Sequence, residues 1–307
     1  MKGETLILQP GKLWERVTEQ TQHALSSGAL HPIPTQCEFL EQDGIRFLVR
    51  IVSNLARKDK AKKKQHKVAG TKKKDFNPFL PYEPDLFVAD ISDTHLCLLN
   101  KFNVVDYHLL IVTREFEEQE NLLTKQDFAA MWATLAEIDG LVFYNAGQAA
   151  GASQRHKHLQ LIPLPLAPEG DRIPIEPVLA SATFQNSVGT IPSFPFQHAF
   201  IRLDPSWVKS PLSAASSTLD CYYSLLGTVG LKGDEGVSAG RHPAGYNLLA
   251  TREWMLMVPR SQERFESISI NSLGFAGAML VRNEQQMQVL KDYGPLTVLK
   301  NVALPGV

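Results

Sequence analysis

From Ser153 to Ile162 the chain reads Ser-Gln-Arg-His-Lys-His-Leu-Gln-Leu-Ile, with polar and apolar residues alternating. In a β-strand alternate side chains share a face. His156, His158 and Gln160 then line one side, and Leu159 and Leu161 the other. Two imidazoles and an amide on one face of an otherwise apolar strand are costly to bury without hydrogen bonds. The row is therefore expected to have a task.

Three readings of that row compete. The histidines can be satisfied core residues, metal ligands, or a nucleophile positioned by its neighbours. A zinc site needs three or four protein ligands, and Cys37, Cys97 and Cys221 lie far apart with no Cys-x-x-Cys pattern. The stretch just upstream favours the third reading. Tyr144-Asn145-Ala146-Gly147-Gln148-Ala149-Ala150-Gly151-Ala152-Ser153 reads as a strand end followed by a loop of small residues that feeds into the histidine strand. Such a loop lets backbone N–H groups approach a phosphate closely, and Ser153 and Gln154 add side-chain donors.

These residues resemble the histidine-triad superfamily. Its nucleotidyltransferase branch carries the His-x-His-x-Gln ending seen here. Within that branch the chain is most similar to the diadenosine tetraphosphate phosphorylases (ATP adenylyltransferases). The resemblance rests on Asn77-Pro78-Phe79-Leu80-Pro81, Leu98-Leu99-Asn100-Lys101-Phe102-Asn103-Val104, Gly151-Ala152-Ser153-Gln154, His156-Lys157-His158-Leu159-Gln160, and Tyr246-Asn247 before Pro259-Arg260-Ser261. Uridylyltransferases of the same superfamily carry Pro between the two histidines, where this chain has Lys157.

The resemblance implies an α+β fold: a HIT-like, uridylyltransferase-like antiparallel sheet or half-barrel with helices on its outer face. It implies His158 as nucleophile, forming a covalent adenylyl-histidine that inorganic phosphate resolves, so that diadenosine tetraphosphate plus phosphate gives ADP plus ATP. Gln160 replaces the third histidine of hydrolytic relatives and can bind a phosphate oxygen without shuttling a proton. His156 would support the phosphate or the position of His158. Gly151, Ala152, Ser153 and Gln154 would cradle phosphate, with Asn145 on the phosphate or ribose side. Leu99 and Asn100 would meet the nucleotide, and Tyr246, Asn247 and Arg252 a second one. His108 looks like the family's outlying histidine or a packing residue. With no carboxylate cluster for a metal cage, Mg²⁺ or another divalent cation would arrive on the substrate phosphates. A phosphorylase acting on GDP-hexose or another nucleoside diphosphate remains open, because a base pocket is not legible here.

Composition suits a soluble enzyme: 307 residues, 44% hydrophobic, formal charge −1. Near-zero charge gives no global pull toward nucleic acid or membrane. Three cysteines cannot all pair within one chain, which suits a reducing compartment. No apolar run is long enough to span a bilayer and Met1-Lys2-Gly3-Glu4 leads into no signal core, so a cytoplasmic protein is expected.

Residues 57 to 74 hold ten Lys or Arg against one acid, Asp59. The run reads either as a solvated, mobile loop or as a segment whose near end, around Arg57 and Lys58, reaches a polyphosphate. A nucleic-acid-binding role for it lacks the interleaved aromatics of a single-strand platform.

Elsewhere the spacing predicts a helix over 11–27 stopped at Gly28, and a strand from Ile45 to Val52. It predicts hairpins at 94–112 and 246–258, and a helix opened by a Thr124/Asp127 capping box and ended at Gly140. A strand is expected at His198–Leu203, a helix at 217–228, and packing helices from Gly274 to Leu304. The two hairpins echo each other, which would suit a single compact unit over 1–307 with HIT-like halves at 1–170 and 171–307.

Overall fold

The computed structural model describes residues 5–52, 77–167, 169–231 and 244–306. Lys58 and the basic run at 57–74 lie outside the described residues.

The strands follow in chain order as β1 (Thr35–Gln42), β2 (Ile45–Val52), β3 (Phe87–Asp90), β4 (His95–Leu99), β5 (Leu109–Thr113), β6 (Gly140–Ala146), β7 (His158–Pro163), β8 (Thr183–Gln185), β9 (Val188–Thr190), β10 (Ala199–Arg202), β11 (Tyr246–Ala250), β12 (Trp254–Pro259), β13 (Arg264–Phe265), β14 (Ile268–Ser269) and β15 (Ala278–Val281). Ten of them form one antiparallel sheet in the order β3-β4-β5-β7-β6-β11-β12-β10-β9-β8. Strands from both halves of the chain meet in it where β6 pairs β11, with Asn145 opposite Asn247.

The expected α+β, HIT-like architecture with an antiparallel sheet is what the chain adopts. Helices Leu13–Ser27, Lys125–Glu137 and Pro211–Thr228 cover one face of the sheet. Their buried residues meet Leu109, Ile111, Val142, Tyr144, Leu159 and Leu161 in a single cluster. Each such Leu, Ile or Val contributes about 1.5–3 kcal/mol on burial. The other face carries a second apolar cluster around Leu141, Phe143 and Ile162. Across it lie the small sheet β1-β2-β15 and the helices Glu284–Tyr293 and Pro295–Val302.

Two expectations need correction. The helix opened by Thr124 does carry its capping box. It ends at Ile138, whose backbone is extended, and Gly140 begins β6 instead, where a Cβ would stand 3.0 Å from the Ile162 carbonyl oxygen. The stretch after Gly274 is not all helix. Ala278–Val281 pairs in parallel with β2, Met279 opposite Val49. A four-residue apolar run is too short for its period to tell strand from helix.

Candidate active site

His158 opens β7. The register sets Val112 of β5 opposite His158 and Leu110 opposite Gln160. The strand's period of two then separates its side chains. Leu159 and Leu161 join the helix-covered core. His158, Gln160 and Ile162 line a cavity of about 1200 Å³ between the main sheet and the small sheet. Asn77, Phe79, Leu99, Asn100, His108, Asn145 and the loop from Gly151 to Gln154 line it too, and Arg50, Met279 and Arg282 close the far side.

The His158 ring is buried, with 5% of its surface exposed. Its Nδ1 lies 2.8 Å from the His156 carbonyl oxygen. A carbonyl only accepts, so Nδ1 carries the proton and donates. Nε2 therefore keeps its lone pair, and no partner holds it among the described residues. Burial lowers the pKa of this imidazole to about 4, the His156 carbonyl offsetting only part. The ring is thus neutral at ordinary pH, the form a nucleophile requires.

Gln160 is oriented from behind. Asn100 Nδ2 donates to His108 Nδ1 at 3.1 Å, which leaves the His108 Nε2–H to donate to Gln160 Oε1 at 2.9 Å. The Gln160 amide nitrogen is then the end turned to the cavity, ready to donate to an anion. His108 is accordingly a relay between two amides. A similar chain holds Asn145. Its Oδ1 accepts from Asn247 Nδ2 at 2.9 Å, Ser272 N at 2.9 Å and Ser272 Oγ at 2.7 Å. Its Nδ2 has no partner among the described residues and lies on the cavity wall. Behind Asn247 stands buried Arg260, whose Nη1 donates to Asn247 Oδ1 at 2.5 Å. Burial lowers the Arg260 pKa to about 9.

Lys157, between the two histidines, points the other way and is fully buried. It donates to Asp127 at 2.7 Å and Glu117 at 3.1 Å. Asp127 is also the capping-box carboxylate of helix Lys125–Glu137 and receives His95 Nε2 at 3.1 Å. Burial alone would raise the Asp127 carboxyl, but the His95 hydrogen bond and the Lys157 charge hold it well below the usual carboxylate range. The lead into β7 is thereby fastened to a helix terminus.

Several expected site residues fall elsewhere. His156 precedes β7, bridging Glu118 alone, and its ring is turned out of the cavity among Phe79 and Phe116. Nε2 donates to the Thr113 carbonyl at 2.8 Å and Nδ1 accepts from Asn77 at 2.8 Å. With both nitrogens engaged, the ring cannot act on phosphate; it serves His158 through its carbonyl. Tyr246 is fully buried on the helix-covered face, its hydroxyl 2.5 Å from that of Tyr222. Arg252 sits beyond the end of β11 and donates to the Leu135 carbonyl at 2.8 Å, closing the end of a helix. Asn247 supports Asn145 and does not reach the cavity wall.

The small-residue loop also differs in detail. The N–H groups of Gly151 and Ala152 bond to the Gln148 and Gly147 carbonyls inside the loop. Gly151 has φ +87°, and a Cβ there would lie 2.7 Å from the Ile270 carbonyl oxygen. It shapes the turn and does not supply a donor. The amides of Ser153 and Gln154 have no acceptor among the described residues and sit at the cavity. Asn77, Gln119, Arg260 and Ser272 belong to the site's frame without having been assigned to it. Asn77 stood within a recognised motif; Gln119 is hidden in the acidic run Glu115–Glu120, and Ser272 carried no signal.

The ten-stranded antiparallel sheet, with a neutral histidine and an amide facing one cavity from the same strand, defines an α+β protein with a histidine-lined cavity. Comparison with known proteins narrows this. Residues 3–181 match the model of the Ap4A phosphorylase N-terminal domain, and residues 192–305 match that of the ATP adenylyltransferase C-terminal domain. The chain is 30% identical over 240 residues to diadenosine 5',5'''-P1,P4-tetraphosphate phosphorylase 2 of Saccharomyces cerevisiae, covering 70% of this chain and 72% of that one. It is 29% identical over 226 residues to protein APA1 of the same yeast, covering 66% of this chain and 65% of that one. The crystal structure of yeast Ap4A phosphorylase Apa2 has the same fold, with TM-score 0.79 at 24% identity, covering 98% of this chain and 97% of that chain. A structure of Apa2 in complex with Ap4A gives 0.78 at 22% identity, covering 98% and 100%. The chain belongs to the Ap4A phosphorylase family.

Proposed function

We propose that this chain is a nucleotidyltransferase that phosphorolyses diadenosine tetraphosphate to ADP and ATP through an adenylyl group carried on His158. The observation that carries the reading is the tautomer of His158: a protonated Nδ1 held by the His156 carbonyl and a bare Nε2 on the cavity wall. Nε2 attacks the phosphorus next to one adenosine. The bond from that phosphorus to the bridging oxygen breaks, and ATP leaves with the electron pair. Phosphate then attacks the same phosphorus, returns the lone pair to Nε2 and departs as ADP. Splitting one displacement into two in this way lowers each barrier.

Charge develops on the transferred group and requires fixed donors. The amides of Gln160 and Asn145 and the loop at Ser153 and Gln154 supply them. Neither Gln160 nor Asn145 can take a proton from water near neutrality, so phosphate is favoured over water as acceptor. Mg²⁺ or another divalent cation enters on the substrate's phosphates, which offer the oxygen ligands it prefers. Among the described residues no helix is long and apolar enough to cross a membrane. We place the enzyme in the cytoplasm, with dinucleoside polyphosphate, ATP, ADP and phosphate as its partners and no nucleic acid or membrane among them.

The test is a competition. Purified protein is given phosphate with diadenosine tetraphosphate, GDP-hexose or ADP-hexose, and products are resolved by ion-exchange chromatography. ADP and ATP in equal amounts from diadenosine tetraphosphate, at a higher kcat/KM than either sugar nucleotide, are expected. Preference for a sugar nucleotide would replace this substrate by the other class.

A further inference from the structure

The ladder between β6 and β7 stops early. Gly140, Leu141, Val142 and Phe143 pair with Pro163, Ile162, Leu161 and Gln160. Continued by two residues, it would set Asn145 opposite His158. Both residues remain in strands, Asn145 pairing across to β11 and His158 across to β5. A side chain lies between them. Gln119 Oε1 accepts the His158 N–H at 2.9 Å. Gln119 Nε2 donates to the His158 carbonyl at 3.1 Å and to the Asn145 carbonyl at 3.1 Å. A primary amide has one acceptor and two donor hydrogens, and all three are used here.

The wedge is itself held. Gln119 N donates to the Arg155 carbonyl at 2.6 Å, and the Tyr144 hydroxyl donates to the Gln119 carbonyl at 2.6 Å. Only 3% of Gln119 is exposed. An internal ladder would have drawn the two strand ends together. The inserted amide satisfies their polar groups while keeping them apart, and the residues on either side of it, Asn145 and His158, both line the cavity.

We propose that Gln119 is a positioning residue of the reaction: its amide replaces a missing rung of the sheet, fixes the His158 backbone on both sides of Cα, and thereby aims the His158 ring. The inference rests on the reading of His158 as nucleophile.

Gln119→Glu keeps the shape and the acceptor but removes both donors. Gln119→Met keeps the volume and removes all three bonds. A misplacement of about 1 Å at a reacting group can cost roughly 10²-fold in rate. At pH 8 both variants are expected to lose about 100-fold in kcat and in the rate of acceptor-free adenylylation, with KM within about threefold of wild type. Burial raises the pKa of the introduced carboxyl, so lowering the pH to 5.5 protonates it and restores a donor. The glutamate variant then regains at least about tenfold relative to wild type at the same pH, whereas the methionine variant does not. The titratable and charged groups on the chain segments that bond Gln119 are His158, Tyr144, the Arg155–Glu118 ion pair, Glu120, and Lys157 held by Asp127 and Glu117. A solely structural glutamine would shift the melting temperature without this pH-dependent recovery.

Wild-type kcat in both variants, or a loss confined to KM, overturns the inference. If both variants fail to fold, the wild type decides: a through-hydrogen-bond coupling from the His158 amide nitrogen to Gln119 Cδ supports the inference and its absence overturns it. Turnover by His158→Ala would defeat the nucleophile reading itself. An inactive His158→Ala beside fully active Gln119 variants would defeat only the inference about Gln119.

Discussion

His158 and His198 are built alike and do different things. Each ring is buried, and each directs Nδ1 to the carbonyl two residues back at 2.8 Å, His156 for one and Phe196 for the other. Each stands at the entrance to a strand of the main sheet, and burial lowers the pKa of both. The difference is at Nε2. In His198 it accepts the Ile191 N–H at 2.7 Å; in His158 it faces the cavity. Their surroundings differ as well. Behind His158 the chain is fastened by the buried Lys157–Asp127 pair, while His198 packs against the rings of Phe194 and Phe196. The comparison teaches that the local bond fixing a tautomer is not the source of reactivity. What distinguishes the site is a second nitrogen without a partner among the described residues, on a cavity wall.

Substitution of the two rings gives the sharpest contrast. His158→Ala should lower phosphorolysis by roughly 10⁴-fold or more, as loss of a nucleophile does, with little change in the urea midpoint. His198→Ala should leave kcat within about twofold and lower stability by about 1–3 kcal/mol, because the buried Ile191 N–H loses its acceptor. Equal loss of kcat in both variants would break the comparison.

The ion pair behind β7 comes next. Lys157→Met leaves Asp127 buried without its cation and should cost about 3 kcal/mol in chemical denaturation. A cost below about 0.5 kcal/mol would mean that the pair does not fasten the strand.

A smaller effect is expected at the amide that shares the cavity with His158. Releasing Gln160 by His108→Phe should reduce kcat about tenfold, a loss near 1.4 kcal/mol of transition-state stabilisation. Gln160→His introduces a group that can take a proton from water, and should raise AMP relative to ADP among the products. An unchanged product ratio would show that the amide does not select the acceptor.

The smallest effect is in pH dependence. With a pKa near 4, His158 stays neutral well below the ordinary imidazole value, so the acid limb of kcat/KM should lie near 4 and not near 6.5. The same shifts act on stability. The unfolded chain binds protons at both histidines before the fold does, so their contribution is complete above about pH 6.5 and is lost as pH falls below it. Urea midpoints measured from pH 7 to 5 should decline accordingly, and less steeply in His198→Ala.

Much of this was legible in the sequence, because the signals were local. Alternation in β7 separates Gln160 from Leu159 and Leu161, the Thr124/Asp127 spacing forms its capping box, and the small-residue loop leads to the cavity. The same alternation misled at His156, which lies two residues before the strand begins. Tyr246 and Asn247 show the limit differently. Adjacent residues of a strand face opposite ways, so a shared motif could not place both at one cavity. The roles of Gln119, Arg260 and Ser272 come from contacts across up to 128 residues of chain, which no local pattern encodes. Gln119 is the one amide among the acids of Glu115–Glu120, and it lies in the sheet beside His158.

The most direct measurement uses diadenosine tetraphosphate labelled at the phosphorus next to adenosine, incubated with the protein in the absence of phosphate. The account predicts stoichiometric label on the protein, stable to base and lost in acid, mapped by mass spectrometry to His158 and discharged as ADP when phosphate is added. Label on another residue, or full turnover without any labelled protein, would contradict it.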